Sequence, residues 1–82
     1  MENEQNELFY STKDLGLATT LSLTFPIEKL NKENPKKVFF IFNNTKEVQE
    51  IAEKYFIGGT RVDPHKFMDQ LRSLKSAIYA ER

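Results

Sequence analysis

Apolar residues recur along this chain in two periods, and the period decides the element. Val48, Ile51, Ala52 and Tyr55 fall at i, i+3, i+4 and i+7, with Phe56 beside them. That spacing predicts an amphipathic helix. Phe67, Leu71, Leu74 and Ile78 make a second helical stripe near the end. Between residues 21 and 28 the period drops to two: Leu21, Leu23, Phe25 and Ile27 alternate with Ser22, Thr24, Pro26 and Glu28. This alternation predicts a half-buried strand, and Pro26, which cannot donate to a ladder, places it at an edge. Lys37-Val38-Phe39-Phe40-Ile41-Phe42 is apolar on both faces and reads as the central strand. Leu8 to Ser11 reads as a short strand. Leu15, Ala18 and Leu21 give a short helix from Thr12 to Leu21, weakened at Gly16 by roughly 1 kcal/mol relative to alanine.

Polar punctuation sets the boundaries. Thr12 is placed to cap the first helix, with Asp14 in its first turn. Asn31 to Pro35 is a polar turn, and Asn44 with Glu47 three residues on has the capping-box spacing. Gly58-Gly59 stops the following helix, while Asp63 caps the last one and Pro64 occupies its first position. The order is β-α-β-β-α-α with the middle strands as an antiparallel hairpin. This predicts a two-layer α+β domain, a small antiparallel sheet packed against helices. Residues 1–6 are expected to be a disordered tail and 7–82 a single domain.

Composition adds bounds. Eighty-two residues fill one core, and seven Phe with three Tyr make it rich in rings. A core this small makes a homodimer a plausible way to bury more surface. The absence of cysteine excludes disulfides, thiolate zinc sites and a cysteine nucleophile. No apolar run approaches the roughly 18–20 residues of a membrane span, and Met1 to Glu7 is polar and acidic, unlike a signal peptide. A cytoplasmic protein is the expectation. The net charge is zero but unevenly distributed. Residues 1–34 carry three cations and six acids, and residues 35–82 carry nine and six, giving −3 and +3.

Catalytic chemistry finds little support. His65, the sole histidine, has no sequence signature of an orienting carboxylate or nucleophile and reads as an exposed helix-start residue. Ser11, Thr12, Ser22, Ser73 and Ser76 lie in no nucleophile-elbow pattern. One histidine without cysteine leaves only carboxylates for a metal, at no recognised spacing, so no metal and no cofactor are expected. Ile57-Gly58-Gly59-Thr60-Arg61 resembles a phosphate cradle, but a helix stop followed by a linker accounts for it better. Phe39-Phe40-Ile41-Phe42 invites comparison with an RNA-recognition sheet. It lacks the glycines of that motif, and core packing is the better reading. The chain is therefore read as non-enzymatic.

The basic flank of the last helix is the most suggestive surface. At 100° per residue His65, Met68, Arg72, Lys75 and Tyr79 share one band beside the core stripe. Cations with an interleaved ring suit phosphate contact and base stacking. The candidate nucleic-acid-binding residues are Arg61, Lys66, Arg72, Lys75 and Tyr79, with Lys36 and Lys37 joining if the fold brings them close. The other reading is a protein-interaction module or homodimer that uses the apolar strand face or Tyr55, Phe56 and Tyr79. Phe9 to Ala18, Val38 to Phe42, and Val62-Asp63-Pro64 leading to Arg72-Ser73-Leu74-Lys75 together resemble a small uncharacterised family, a domain of unknown function of bacteria and their phages. The resemblance implies a phage or mobile-element setting. It carries no activity and no site residues.

Overall fold

A computed structural model describes residues 3–6, 8–34 and 36–80, with only the backbone described for 3–5. Four strands and three helices follow one another along the chain. They are β1 Asn3–Gln5, β2 Phe9–Thr12, α1 Leu15–Ser22, β3 Lys29–Asn34, β4 Lys37–Asn43, α2 Lys46–Phe56 and α3 Pro64–Tyr79. The three principal strands with the helices give the order β-α-β-β-α-α, an α+β fold. The sheet runs β1-β2-β4-β3 and every neighbouring pair is antiparallel. β2 and β3 are therefore parallel to each other with β4 inserted between them, so β2-α1-β3 is a split β-α-β unit.

Strand alternation divides the side chains between two faces. On the inner face Tyr10 and Thr12 of β2 and Phe40 and Phe42 of β4 are buried, with Leu30 of β3 opposite Phe40. These residues meet Leu17, Ala18 and Leu21 of α1, Val48 and Ala52 of α2, and Leu74 of α3 in one core. Helix α1 lies deepest, with five consecutive buried residues from Leu17 to Leu21. A helix covered on all sides must satisfy its own polar groups. Thr19 and Thr20 do so by donating their hydroxyls to the carbonyls of Leu15 and Gly16, at 2.7 and 2.9 Å. Gly16 faces Tyr55 of α2. A Cβ there would overlap the Tyr55 hydroxyl, which donates to Asp14 Oδ1 at 3.2 Å.

The fold departs from the sequence reading at five places. The expected tail over residues 1–6 contains strand β1, whose Asn3, Glu4 and Gln5 pair with Thr12, Ser11 and Tyr10; residues 1 and 2 lie outside the described residues. Asn6 makes the tight return, its Oδ1 accepting from the amides of Leu8 and Phe9. Secondly, the first helix starts later than Thr12. Asp14 is its cap, accepting from the Leu17 amide at 3.0 Å, and Thr12 belongs to β2.

The third departure is the period-two run over 21–28, which is not a strand. Leu21 and Ser22 end α1, and the amides of Thr24 and Phe25 both return to the Leu21 carbonyl. Phe25 and Ile27 still pack on the core, but from a loop. Fourthly, the strand lies further on and takes in Asn31–Asn34 of the expected turn. Only Leu30 of its six residues packs on the core, so its hydrophobic signal is faint; Pro35 lies outside the described residues. Finally, Thr45 rather than Asn44 caps α2, accepting from the Val48 amide at 3.1 Å. Asn44 instead ties the β1–β2 return to the helix, donating to the Asn6 carbonyl and accepting from Gln49.

Candidate nucleic-acid interface

Helix α3 is positioned by two caps and an inward stripe. Asp63 Oδ1 accepts from the amides of His65 and Lys66 at 2.8 and 3.1 Å, and Pro64 begins the helix where an N–H would have no partner. At the other end Lys32 of β3 donates its ammonium to the carbonyls of Ala77 and Ala80, at 2.6 and 2.9 Å. A cation at a helix C-terminus opposes the macrodipole and satisfies carbonyls the helix leaves open. Leu74 is buried and Ile78 packs on the core, so rotation about the helix axis is set. Gln70 adds a polar contact to α1, donating to Ser22 Oγ at 3.0 Å.

This orientation turns His65, Met68, Arg72, Lys75 and Tyr79 outward together. Tyr79 is 62% exposed. Arg72 holds Asp69 at 2.7 Å in a pair exposed on both sides. Such a pair contributes about 0–1 kcal/mol, so it surrenders the guanidinium to a phosphate at small cost. Lys66 is exposed but stands roughly 120° around the helix from Arg72 and about 180° from Lys75. It belongs to the other flank. Arg61 is exposed in the linker before α3. Over α3 the three cations Lys66, Arg72 and Lys75 face one carboxylate, Asp69, whereas on α2 the exposed Glu47, Glu50 and Glu53 outnumber the exposed Lys46 and Lys54 by one. Helix α3 thus carries three cations less one acid, +2, and α2 two cations less three acids, −1, while Lys36, Lys37 and Arg61 lie outside both helices.

The glycine pair after α2 is a helix stop. Gly58 takes a left-handed φ of 76°, its amide donates to the Tyr55 carbonyl at 3.1 Å, and the Gly59 amide donates to Lys54 at 2.7 Å. These are the two bonds of a Schellman motif. The N–H groups that a phosphate cradle would need are spent on the helix end. Thr12, Ser22 and Ser73 use their hydroxyls within the fold: Thr12 accepts from the Asp14 amide, and Ser22 and Ser73 donate to the Thr19 and Asp69 carbonyls. Among the described residues no cluster of three or more His, Cys, Asp or Glu is arranged to hold a metal ion. Among the same residues no helix is long and apolar enough to cross a membrane.

Core packing, the reading preferred for Phe39 to Phe42 over an RNA-recognition sheet, holds for Phe40 and Phe42, while Phe39 and Ile41 lie on the outer face of the sheet. In register, Phe9 stands opposite Asn43, Ser11 and Lys29 flank Ile41, and Asn31 stands opposite Phe39. Phe39 and Ile41 therefore point away from the core that holds Phe40 and Phe42. Lys37, two residues before Phe39, shares that face. The Lys29 ammonium lies 5.7 Å from the Phe9 ring centre. Phe9 and Lys29 belong to strands on either side of β4, so the lysine stem crosses β4 beside Ile41. Ile41 is only 7% exposed although it lies outside the core cluster, and Lys29 is its register partner on β3.

Fold and surface thus define a small α+β domain with one helix-covered sheet face. The chain belongs to the family described as Domain of unknown function (DUF5659), which its residues 7–80 match. No curated protein and no solved structure was found to match it.

Proposed function

We propose that this protein is a small non-catalytic module that binds nucleic acid in the cytoplasm, in a phage or bacterial setting. The contact is made by the outward flank of α3, with Arg72 and Lys75 on phosphates and Tyr79 beside them. The observation that supports it is the rotation of α3, which turns this band outward while Leu74 anchors the opposite side. Arg61 extends the surface from the linker, and Lys66 serves the far flank. Labelled single- and double-stranded DNA and RNA are titrated with the protein at low and moderate salt. Binding is expected to weaken steeply with salt, because phosphate contacts release counterions. Arg72→Ala with Lys75→Ala is expected to weaken it about tenfold or more and to lower the salt slope by about two. Absence of binding at low salt overturns the reading.

A second reading, a protein-interaction module or homodimer, is favoured by Phe56 and Ile57, which are 51% and 82% exposed at the end of α2. Light scattering tests it directly: a mass of two chains that falls to one on Phe56→Ser with Ile57→Ser supports it.

A further inference from the structure

The outer face of the sheet carries two rings on neighbouring strands and two lysines: Phe9, with the Lys29 ammonium over it, and Phe39, with Lys37 two residues before it on the same face. We infer that this face is a stacking platform for a single-stranded nucleic acid, a second contact surface on the side of the domain opposite the helices. The inference rests on nucleic acid being the partner and adds the strand state it is bound in.

The geometry suits an unpaired strand. Phe9 sits opposite Asn43, so the two rings are separated by four residues along β4 and one strand across, on the order of 13–14 Å. Successive bases of an extended strand span that distance in about two steps, leaving Ile41 and Ser11 beneath the intervening nucleotide. Bases stack on aromatic rings irrespective of sequence, and a duplex, whose bases are already stacked, cannot use them. A base arriving on Phe9 replaces the Lys29 ammonium on the ring and leaves it beside the adjoining phosphate. Asn31, Asn43 and Ser11 line the same face as neutral hydrogen-bonding groups. The acids nearby lie at its margins. Glu28 accepts from Asn43 Nδ2 at 3.3 Å, and Glu4 takes the register position opposite Ser11 on edge strand β1. Between the two rings lie Ile41 and Ser11, which carry no charge.

The test compares a short single-stranded oligonucleotide with the same sequence as a duplex. It uses the wild type, Phe9→Leu with Phe39→Leu, and Lys29→Gln, whose ammonium lies at the surface. Leucine keeps the strands apolar while removing the stacking surface. The leucine pair is expected to lose about tenfold in single-strand affinity per ring, with duplex affinity unchanged. Lys29→Gln is expected to lose severalfold. Amide shifts of the wild type on adding the single strand are expected at Ser11, Asn31, Phe39 and Ile41, a readout independent of how well any variant folds. Shifts confined to α3, with affinity lost only on Arg72→Ala and Lys75→Ala, overturn the platform and leave the proposed function standing. Absence of binding by the wild type overturns both. A dimer whose interface maps to Phe9, Phe39 and Ile41 overturns the platform and identifies a second copy as its occupant.

Discussion

At the scale of the residue, glycine and the capping side chains have the plainest physical roles. Gly58 is the one described residue with positive φ among the glycines, and a Cβ built on it meets nothing within 4 Å. The cost of Gly58→Ala is therefore purely that of the left-handed backbone, about 1–2 kcal/mol. The expected outcome in thermal denaturation is a fall in Tm of several degrees with an unchanged unfolding slope in urea. Gly58, Asp63 and Pro64 were legible because each residue type has few other uses: left-handed geometry, a side-chain acceptor and a missing N–H are properties of single residues. Thr45 was passed over for Asn44 because both are good caps, and the choice depends on which backbone lies next to β2.

At the scale of the element, amphipathic helices announce themselves and a fully buried one does not. α2 and α3 each show one apolar face; Val48, Ile51, Ala52 and Tyr55 of the first stripe pack on the core, and Leu74 and Ile78 of the second. α1 has no polar face to reveal its period, and its Leu-rich end merged with Phe25 and Ile27 into a false alternation. β3 was hidden for the opposite reason: an edge strand held by backbone pairing needs little apolar sequence. It nevertheless anchors α3 through Lys32. Replacing Lys32 with methionine keeps the stem and removes two charge-assisted hydrogen bonds, one of them exposed, which is expected to cost about 1–2 kcal/mol. Hydrogen exchange is the check, with the amides of the last turn of α3 exchanging faster than those around Leu74.

At the scale of the whole molecule, three layers of contact converge on the start of α1. Tyr10 comes from the sheet, Asp14 caps α1, and Tyr55 reaches across from α2. Burial first, and the Asp14 carboxylate second, raise the Tyr10 hydroxyl above its ordinary value of 10.0. Tyr55 is raised in the same order of causes, with its hydrogen bond to Asp14 added. A group whose pKa is raised in the fold keeps its full stabilisation below the unfolded value and loses it as pH climbs through the folded one. Stability is therefore expected to hold up to about pH 10 and fall above it. Urea midpoints measured from pH 8 to 11 check this. Tyr10→Phe with Tyr55→Phe is expected to flatten the alkaline fall, although it loses the Asp14 hydrogen bond at every pH.

The candidate surfaces divide along the same line. The α3 band was visible in advance because helical periodicity alone places Met68, Arg72, Lys75 and Tyr79 together. That Lys66 faces away follows from the same arithmetic, while the engagement of Arg72 by Asp69 needed side-chain positions. Of the sheet face only the apolar strand Phe39 to Phe42 was legible, because Phe9 and Lys29 join Phe39 from two further strands. What the amino-acid sequence determined by itself was local: two amphipathic helices, the glycine stop of the first and the Asp63-Pro64 start of the second, the central strand, and an α+β order. These follow from periodicity and from backbone properties of single residues, which need no knowledge of distant neighbours. Tertiary structure alone decided that α1 is wrapped on all sides, that a polar segment pairs as β3, and that Phe39 faces out while Phe40 and Phe42 face in. Each of those depends on strand register and on which surface meets which, and long-range pairing energy is written in no single stretch of the chain.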